Sequence, residues 1–272
     1  MISALFKYQF LQNAVIASVL ASIICGIIGV IIIEKKLIMM SGGIAHTAYG
    51  GVGLGYLCGF EPMIGAVVFS VGAALGIGAI KRKLGVQSDI IIGLFWSVGM
   101  ALGILFIGLM PGYPPDLQSY LFGNILAVKK SDLRFMFILS LIIIFVVAAL
   151  FQDWQAYLFD EQFARVCGIK TTFLDYLLLV LVALTVVVLI RVAGIILVLA
   201  LLTAPSATAA IFSNKLKNRM IIAGVFGIVF CFAGLWLSYA LNIASGACIV
   251  LLSASCFFIL FIAKKIIKKD LH

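Results

Sequence analysis

The sequence predicts an all-α protein, a polytopic transmembrane helical bundle of eight or nine spans. Three observations carry that expectation. The chain of 272 residues is 65% hydrophobic and only 11% charged, whereas a soluble domain runs about 45–50% apolar and about 25% charged. Its apolar residues gather into nine runs, most of them near the roughly 17–25 residues that a helix needs to cross a bilayer. The formal net charge of +9 sits in the short gaps between those runs, where basic residues act as topology signals. The implied partner is therefore membrane lipid, with no nucleic acid. No polar stretch is long enough for a second domain, so residues 1–272 are read as one transmembrane domain.

The first run, about 10–33, is too long for the apolar core of a signal peptide and lacks a small-residue cleavage site. It is expected to be a permanent span. Ser18, Ser22 and Gly26 form a stripe of small residues on it. Similar stripes mark the second run, about 37–59 (Gly51, Gly55, Gly59), the third, about 62–80 (Gly72, Gly76), and the fourth, about 90–110 (Gly99, Gly103). Such spacing brings helix backbones close in lipid, and predicts tight packing in the N-terminal half. After the turn Pro111–Pro115, the stretch Leu117–Val128 is too short to cross. A short helix at or in the outer surface is expected there.

The fifth run, about 133–151, leads into the longest gap, about 152–172. There Leu158, Phe159, Phe163 and Val166 alternate with Asp160, Glu161, Arg165 and Lys170 at rough helical spacing. An amphipathic helix needs a cover for its apolar face. The sixth and seventh runs, about 173–190 and 194–212, follow, then 220–241 and 244–263. The seventh contains Thr203-Ala204-Pro205-Ser206. Proline removes a backbone donor and crowds the preceding turn, so a break is expected at Thr203, Pro205 and Ser206, of the kind tolerated where it lines a cavity. The second, third and seventh runs are short or interrupted, which leaves the count at eight or nine.

Charge sets the orientation. With the N-terminus outside, fourteen of the nineteen Lys and Arg residues fall in cytoplasmic gaps, Lys35, Lys36, Lys81, Arg82 and Lys83 among them. Five fall outside. This is the positive-inside bias, and the Lys264-Lys265 and Lys268-Lys269 pairs place the C-terminus in the cytoplasm beside anionic headgroups. Six cysteines lie mostly within apolar runs with no C-x-x-C pair, so they read as small buried hydrophobes rather than a disulfide framework.

His46 is the candidate for chemistry. It lies about 14 Å along the helix axis from Leu37 at 1.5 Å per residue, and ionisable groups at such depth mark function by default. Imidazole is also a common ligand for transition metals. The competing reading is a buried histidine hydrogen-bonded to a neighbouring helix. Gly42 and Gly50 flank His46 at spacings of four, giving a smooth face past which an ion can move, with Ser41 and Thr47 oxygens nearby. No G-x-x-x-x-G-K-[ST] occurs, so the chain carries no P-loop for ATP. H-E-x-x-H, G-x-S-x-G and paired carboxylates inside the membrane are absent as well, which argues against an enzyme.

Three stretches resemble the permeases of bacterial zinc, manganese and iron ABC importers. They are Met40–Gly55 with its histidine, Tyr120–Leu126, and Ala193–Ala210 around Pro205. The loop Asp160–Gly168 is similar to the ATPase-contacting loop of that family. The resemblance implies a homodimer, cytoplasmic ATPase subunits on separate chains and an extracytoplasmic metal-binding protein. It also implies a metal pathway along the helix of His46, with Gly42 and Gly50, and coupling through Asp160, Glu161, Ala164 and Gly168. Its cargo is a divalent ion, zinc or manganese and also iron, with no permanently bound cofactor. The alternative is an ABC permease for a metal chelate such as a siderophore or cobalamin. Many family members carry Asp where this chain has Gly42; a carboxylate-free site is softer and less attractive to manganese.

Overall fold

The structure is a computed structural model. It describes residues 8–84, 88–111, 123, 125, 128–241 and 243–270. The turn Pro111–Pro115 beyond Pro111, Asp116, most of Leu117–Val128 and His272 lie outside the described residues. Every described element is a helix: α1 (Gln9–Glu34), α2 (Ile38–Cys58), α3 (Pro62–Leu84), α4 (Ser88–Gly108), α5 (Lys130–Ala149), α6 (Phe151–Phe159), α7 (Glu161–Val166), α8 (Thr171–Phe212), α9 (Leu216–Leu241) and α10 (Ser245–Asp270).

Among the described residues, eight stretches are long and apolar enough to span, two of them within α8 (Thr171–Ile190 and Val192–Phe212). The remaining run, the second (about 37–59), becomes α2. Its 21 residues reach about 31 Å at 1.5 Å per residue, long enough to cross, yet its glycines and His46 leave it too polar to count among those eight by composition. Packing resolves this. Fourteen of its residues are buried, because α3 and α4 lie against it.

The chain divides into two compact units. One contains α1, most of α5, the second half of α8, α9 and α10. Here the small-residue stripe of α1 meets α9. A Cβ on Gly26 would stand 2.6 Å from the Gly224 nitrogen, and one on Gly227 would stand 2.9 Å from the Ser22 Cβ. The Ser22 hydroxyl donates to the Ser18 carbonyl at 2.7 Å, which satisfies it within its own helix. Glu34, at the end of α1, pairs with Arg219 of α9.

The other unit contains α2, α3, α4, α6, α7 and the first half of α8. Glycines make its seams. A Cβ on Gly53 would stand 2.7 Å from the Gly103 carbonyl oxygen, and one on Gly55 would stand 2.6 Å from the Pro62 Cα. Gly72 meets nothing within 4 Å and takes no part. All six cysteines are free; Cys25, Cys231 and Cys248 are buried, while Cys58 and Cys167 are exposed.

The single amphipathic helix expected over the 152–172 gap is two helices. Asp160 adopts an extended conformation (φ −153°, ψ 112°), ends α6 and caps α7. Its carboxylate accepts from the backbone N–H of Gln162 at 2.8 Å and of Phe163 at 3.0 Å, the bonds that favour aspartate at a helix start. Gly168, at φ +83°, closes α7. The Gly168 N–H donates to the Arg165 carbonyl and the Ile169 N–H to the Ala164 carbonyl, the paired pattern of a Schellman cap.

The break in α8 also departs from expectation. The helix runs through Thr203, Pro205 and Ser206, and its non-helical residue is Gly194 (φ 74°, ψ 163°). One lost hydrogen bond at a proline is tolerated in a packed membrane helix. Gly194, by contrast, takes a conformation essentially reserved for glycine.

Candidate functional site

His46 sits in α2, held by α3 and α4. Its ring stacks on Trp96 of α4, with centroids 4.0 Å apart and planes 12° from parallel. Its Nδ1 is buried and has no hydrogen-bond partner. That atom is therefore not tied to a neighbouring helix, the alternative that the sequence left open. An unpaired buried nitrogen is costly, and such groups call for a functional explanation.

The neighbours expected to supply oxygen do other work. The Ser41 hydroxyl donates to the Ile38 carbonyl at 2.7 Å. The Thr47 hydroxyl lies 2.8 Å from the Gly43 carbonyl and 3.0 Å from that of Phe95, sharing one proton between them. Gly42 is buried. Gly50 faces its own chain: a Cβ there would stand 2.8 Å from the Gly99 carbonyl oxygen and 3.1 Å from the Phe69 ring. The face through Gly50 is thus a packing seam rather than an open groove. Trp96 was missed in the sequence, because a tryptophan in an apolar run carries no signal of its partner. Among the described residues no cluster of three or more His, Cys, Asp or Glu could hold a metal. A lone imidazole suits brief contact with a passing ion rather than storage.

In the other unit, the Thr203 hydroxyl donates to the Leu199 carbonyl at 2.8 Å, and the buried Ser206 hydroxyl has no partner. A Cβ on Gly29 of α1 would stand 2.6 Å from that hydroxyl oxygen. Gly123, at φ +64°, lies against the backbone of Ala193 and Gly194, where any Cβ would collide. Two of the three stretches that carried the resemblance thus meet backbone to backbone at this point.

The loop residues divide by role. Asp160 caps α7, Gly168 closes it, Ala164 is fully buried in its own chain, and Glu161 pairs with Lys35 at 2.9 Å and Arg165 at 3.3 Å. Partial burial alone would raise the Glu161 carboxyl. The hydrogen bond and charge of Lys35, aided by Arg165 and Arg82, more than offset this and hold it below its ordinary value. Alongside the exposed Gln162 and Arg165, the loop presents three large apolar side chains outward: Phe159 is 91% exposed, Phe163 59% and Val166 86%.

The sequence model of the ABC 3 transport family matches residues 7–264. The chain belongs to the ABC 3 transport family. Relatives in this family include the manganese transport system membrane protein MntC of Listeria monocytogenes, 39% identical over 261 residues, covering 96% of this chain and 93% of that protein. The manganese import system permease protein ScaB of Streptococcus parasanguinis is 35% identical, covering 100% of this chain and 96% of that one. Among solved structures, PsaBC from Streptococcus pneumoniae in complex with Fab superposes with a TM-score of 0.86 at 37% identity, over 96% of this chain and 94% of that one. The chain is accordingly a helical, multi-pass membrane protein of the ABC permease type.

Proposed function

We propose that this chain is the membrane-spanning permease subunit of an ATP-driven importer for a divalent transition-metal ion, manganese first among the candidates. One observation carries the reading: a helix long enough to cross the bilayer but too polar to face lipid holds, near its middle, a buried imidazole nitrogen with no partner. Intramembrane polar groups of that kind mark ion pathways. Manganese is put first because the Listeria and Streptococcus relatives are named for manganese transport. They do not favour a metal-chelate cargo.

In this reading a second copy of the chain brings its own His46 to the pathway, an extracytoplasmic metal-binding protein delivers the ion, and each ion meets His46 only in passing. Transport requires weak binding in any case. The permease itself is not an enzyme; ATP is hydrolysed by a cytoplasmic partner chain. The exposed Phe159, Phe163 and Val166 are the face on which that ATPase docks, with Asp160, Glu161, Ala164 and Gly168 giving the loop its shape.

The test has two parts. The tagged chain purified in mild detergent should bring with it an ATPase and a metal-binding exported protein, read by mass spectrometry. In cells, His46→Ala should lower manganese uptake while membrane levels of the chain stay normal. Unchanged uptake of manganese, zinc and iron in that variant removes His46 from the mechanism.

A further inference from the structure

Lys35 lies in the turn between α1 and α2, three residues before the helix that carries His46 begins. Its neighbour Lys36 takes a left-handed conformation, φ +56°, a position that non-glycine residues rarely occupy. The Lys35 ammonium reaches the Glu161 carboxylate of α7 at 2.9 Å, with the lysine side chain only 16% exposed. The same ammonium stands 3.5 Å from the centroid of the Tyr157 ring in α6. Tyr157 is fully buried, and its hydroxyl donates to the Asp175 carboxylate at the start of α8. The other oxygen of Asp175 accepts from Arg82, at the end of α3, at 3.4 Å. One chain of charges and hydrogen bonds therefore joins the loop helices to α3, α8 and the foot of α2.

We propose that Lys35 is a positioning residue that transmits movement of the α6–α7 loop to the helix of His46. The inference rests on the transport reading above and adds to it the path from ATPase to pathway. The loop holds Lys35 from two sides, by a carboxylate and by an aromatic face. Displacing the loop must either carry the ammonium along or strand a largely buried charge without partners, which is strongly unfavourable. Lys35 is three residues from Ile38, where α2 starts, so a pull on it acts at the helix end. From Ile38 to His46 the path is about 12 Å of continuous helix at 1.5 Å per residue. A cavity of about 390 Å³, lined by Lys35, Met40, Arg82, Glu161 and Asp175 among others, lies alongside, so this group can shift without meeting a packed wall. Energetic coupling of this kind needs a contiguous physical network, and this one is contiguous.

The experiment uses the complete transporter, permease with its ATPase and metal-binding protein, in proteoliposomes. Manganese uptake and ATP hydrolysis are measured in the same vesicles to give metal moved per ATP. Lys35→Met and Glu161→Gln should each keep the ATPase bound and lower that ratio by about fivefold or more. The double variant should fall no further, and Lys35→Arg, which keeps the charge, should stay within about twofold of the parent. A parental ratio in Lys35→Met, or losses that multiply in the double variant, overturns the proposal. If Lys35→Met fails to reach the membrane, Glu161→Gln decides alone, since the Glu161 side chain is 37% exposed: a parental ratio overturns the proposal. Parental vesicles that hydrolyse ATP but move no metal overturn the transport reading itself, whereas parental transport with an unaffected Lys35→Met overturns only the positioning role of Lys35.

Discussion

Removing the ring of Trp96 tests whether His46 must be held in place. Trp96→Ala deletes the face on which the imidazole lies, 4.0 Å away between centroids and tilted by 12°. A stacked aromatic pair is worth about 0.5–1.5 kcal/mol beyond its buried area. At 1.36 kcal/mol per factor of ten, that is about a 2- to 12-fold loss in the population of the held ring. Uptake at limiting manganese should fall by a similar factor. Trp96 is half-buried, so the variant should cost less than the roughly 3–5 kcal/mol of a fully buried Trp→Ala change. Detergent size-exclusion of the fluorescently tagged chain checks that it still folds. Trp96→Phe keeps an aromatic face and should recover most of the uptake. Normal uptake by Trp96→Ala, or a Trp96→Phe variant as slow as Trp96→Ala, refutes the claim that stacking positions the imidazole.

Other expectations concern the loop and the backbone. Val166→Asp places a charge on a side chain 86% exposed, so stability should change by no more than about 0.5 kcal/mol, while co-purification of the ATPase should be lost; retained ATPase would move the docking face elsewhere. Gly194→Ala forces a Cβ into a conformation (φ 74°, ψ 163°) that costs about 1–3 kcal/mol, so the thermal unfolding midpoint in detergent should drop more than for Pro205→Ala, and the reverse order would return the break to the proline. The Glu161 carboxyl is held below its ordinary value of 4.5. A depressed carboxyl stabilises the fold above its unfolded-state pKa and loses that contribution as the pH falls through the folded value. The difference in unfolding midpoint between the parent and Glu161→Gln should therefore be flat at neutral pH and shrink only below about 4.5; a difference that shrinks at neutral pH would remove the Lys35 pairing as its cause.

Local features were legible in the amino-acid order because local physics sets them. The lengths of the apolar runs determined the membrane class and the positions of the helices, since lipid admits little else. The small-residue stripe Ser18–Ser22–Gly26 marked the side of α1 that meets α9. What only the tertiary structure decided involves partners far apart in the chain. Lys35 was read as a topology charge and proved to pair with Glu161, 126 residues away. Thr47 was read as an oxygen beside the pathway, yet its hydroxyl is taken up by backbone carbonyls. The interruption of α8 falls at Gly194 and not at Pro205. A proline's missing donor is visible in sequence, but whether a glycine leaves the helix depends on the backbone packed against it, and here that includes Gly123. His46 belongs to both levels: its depth was set by its place in an apolar run, while its freedom from any hydrogen bond at Nδ1 and its stack on Trp96 came from the helix that packs beside it.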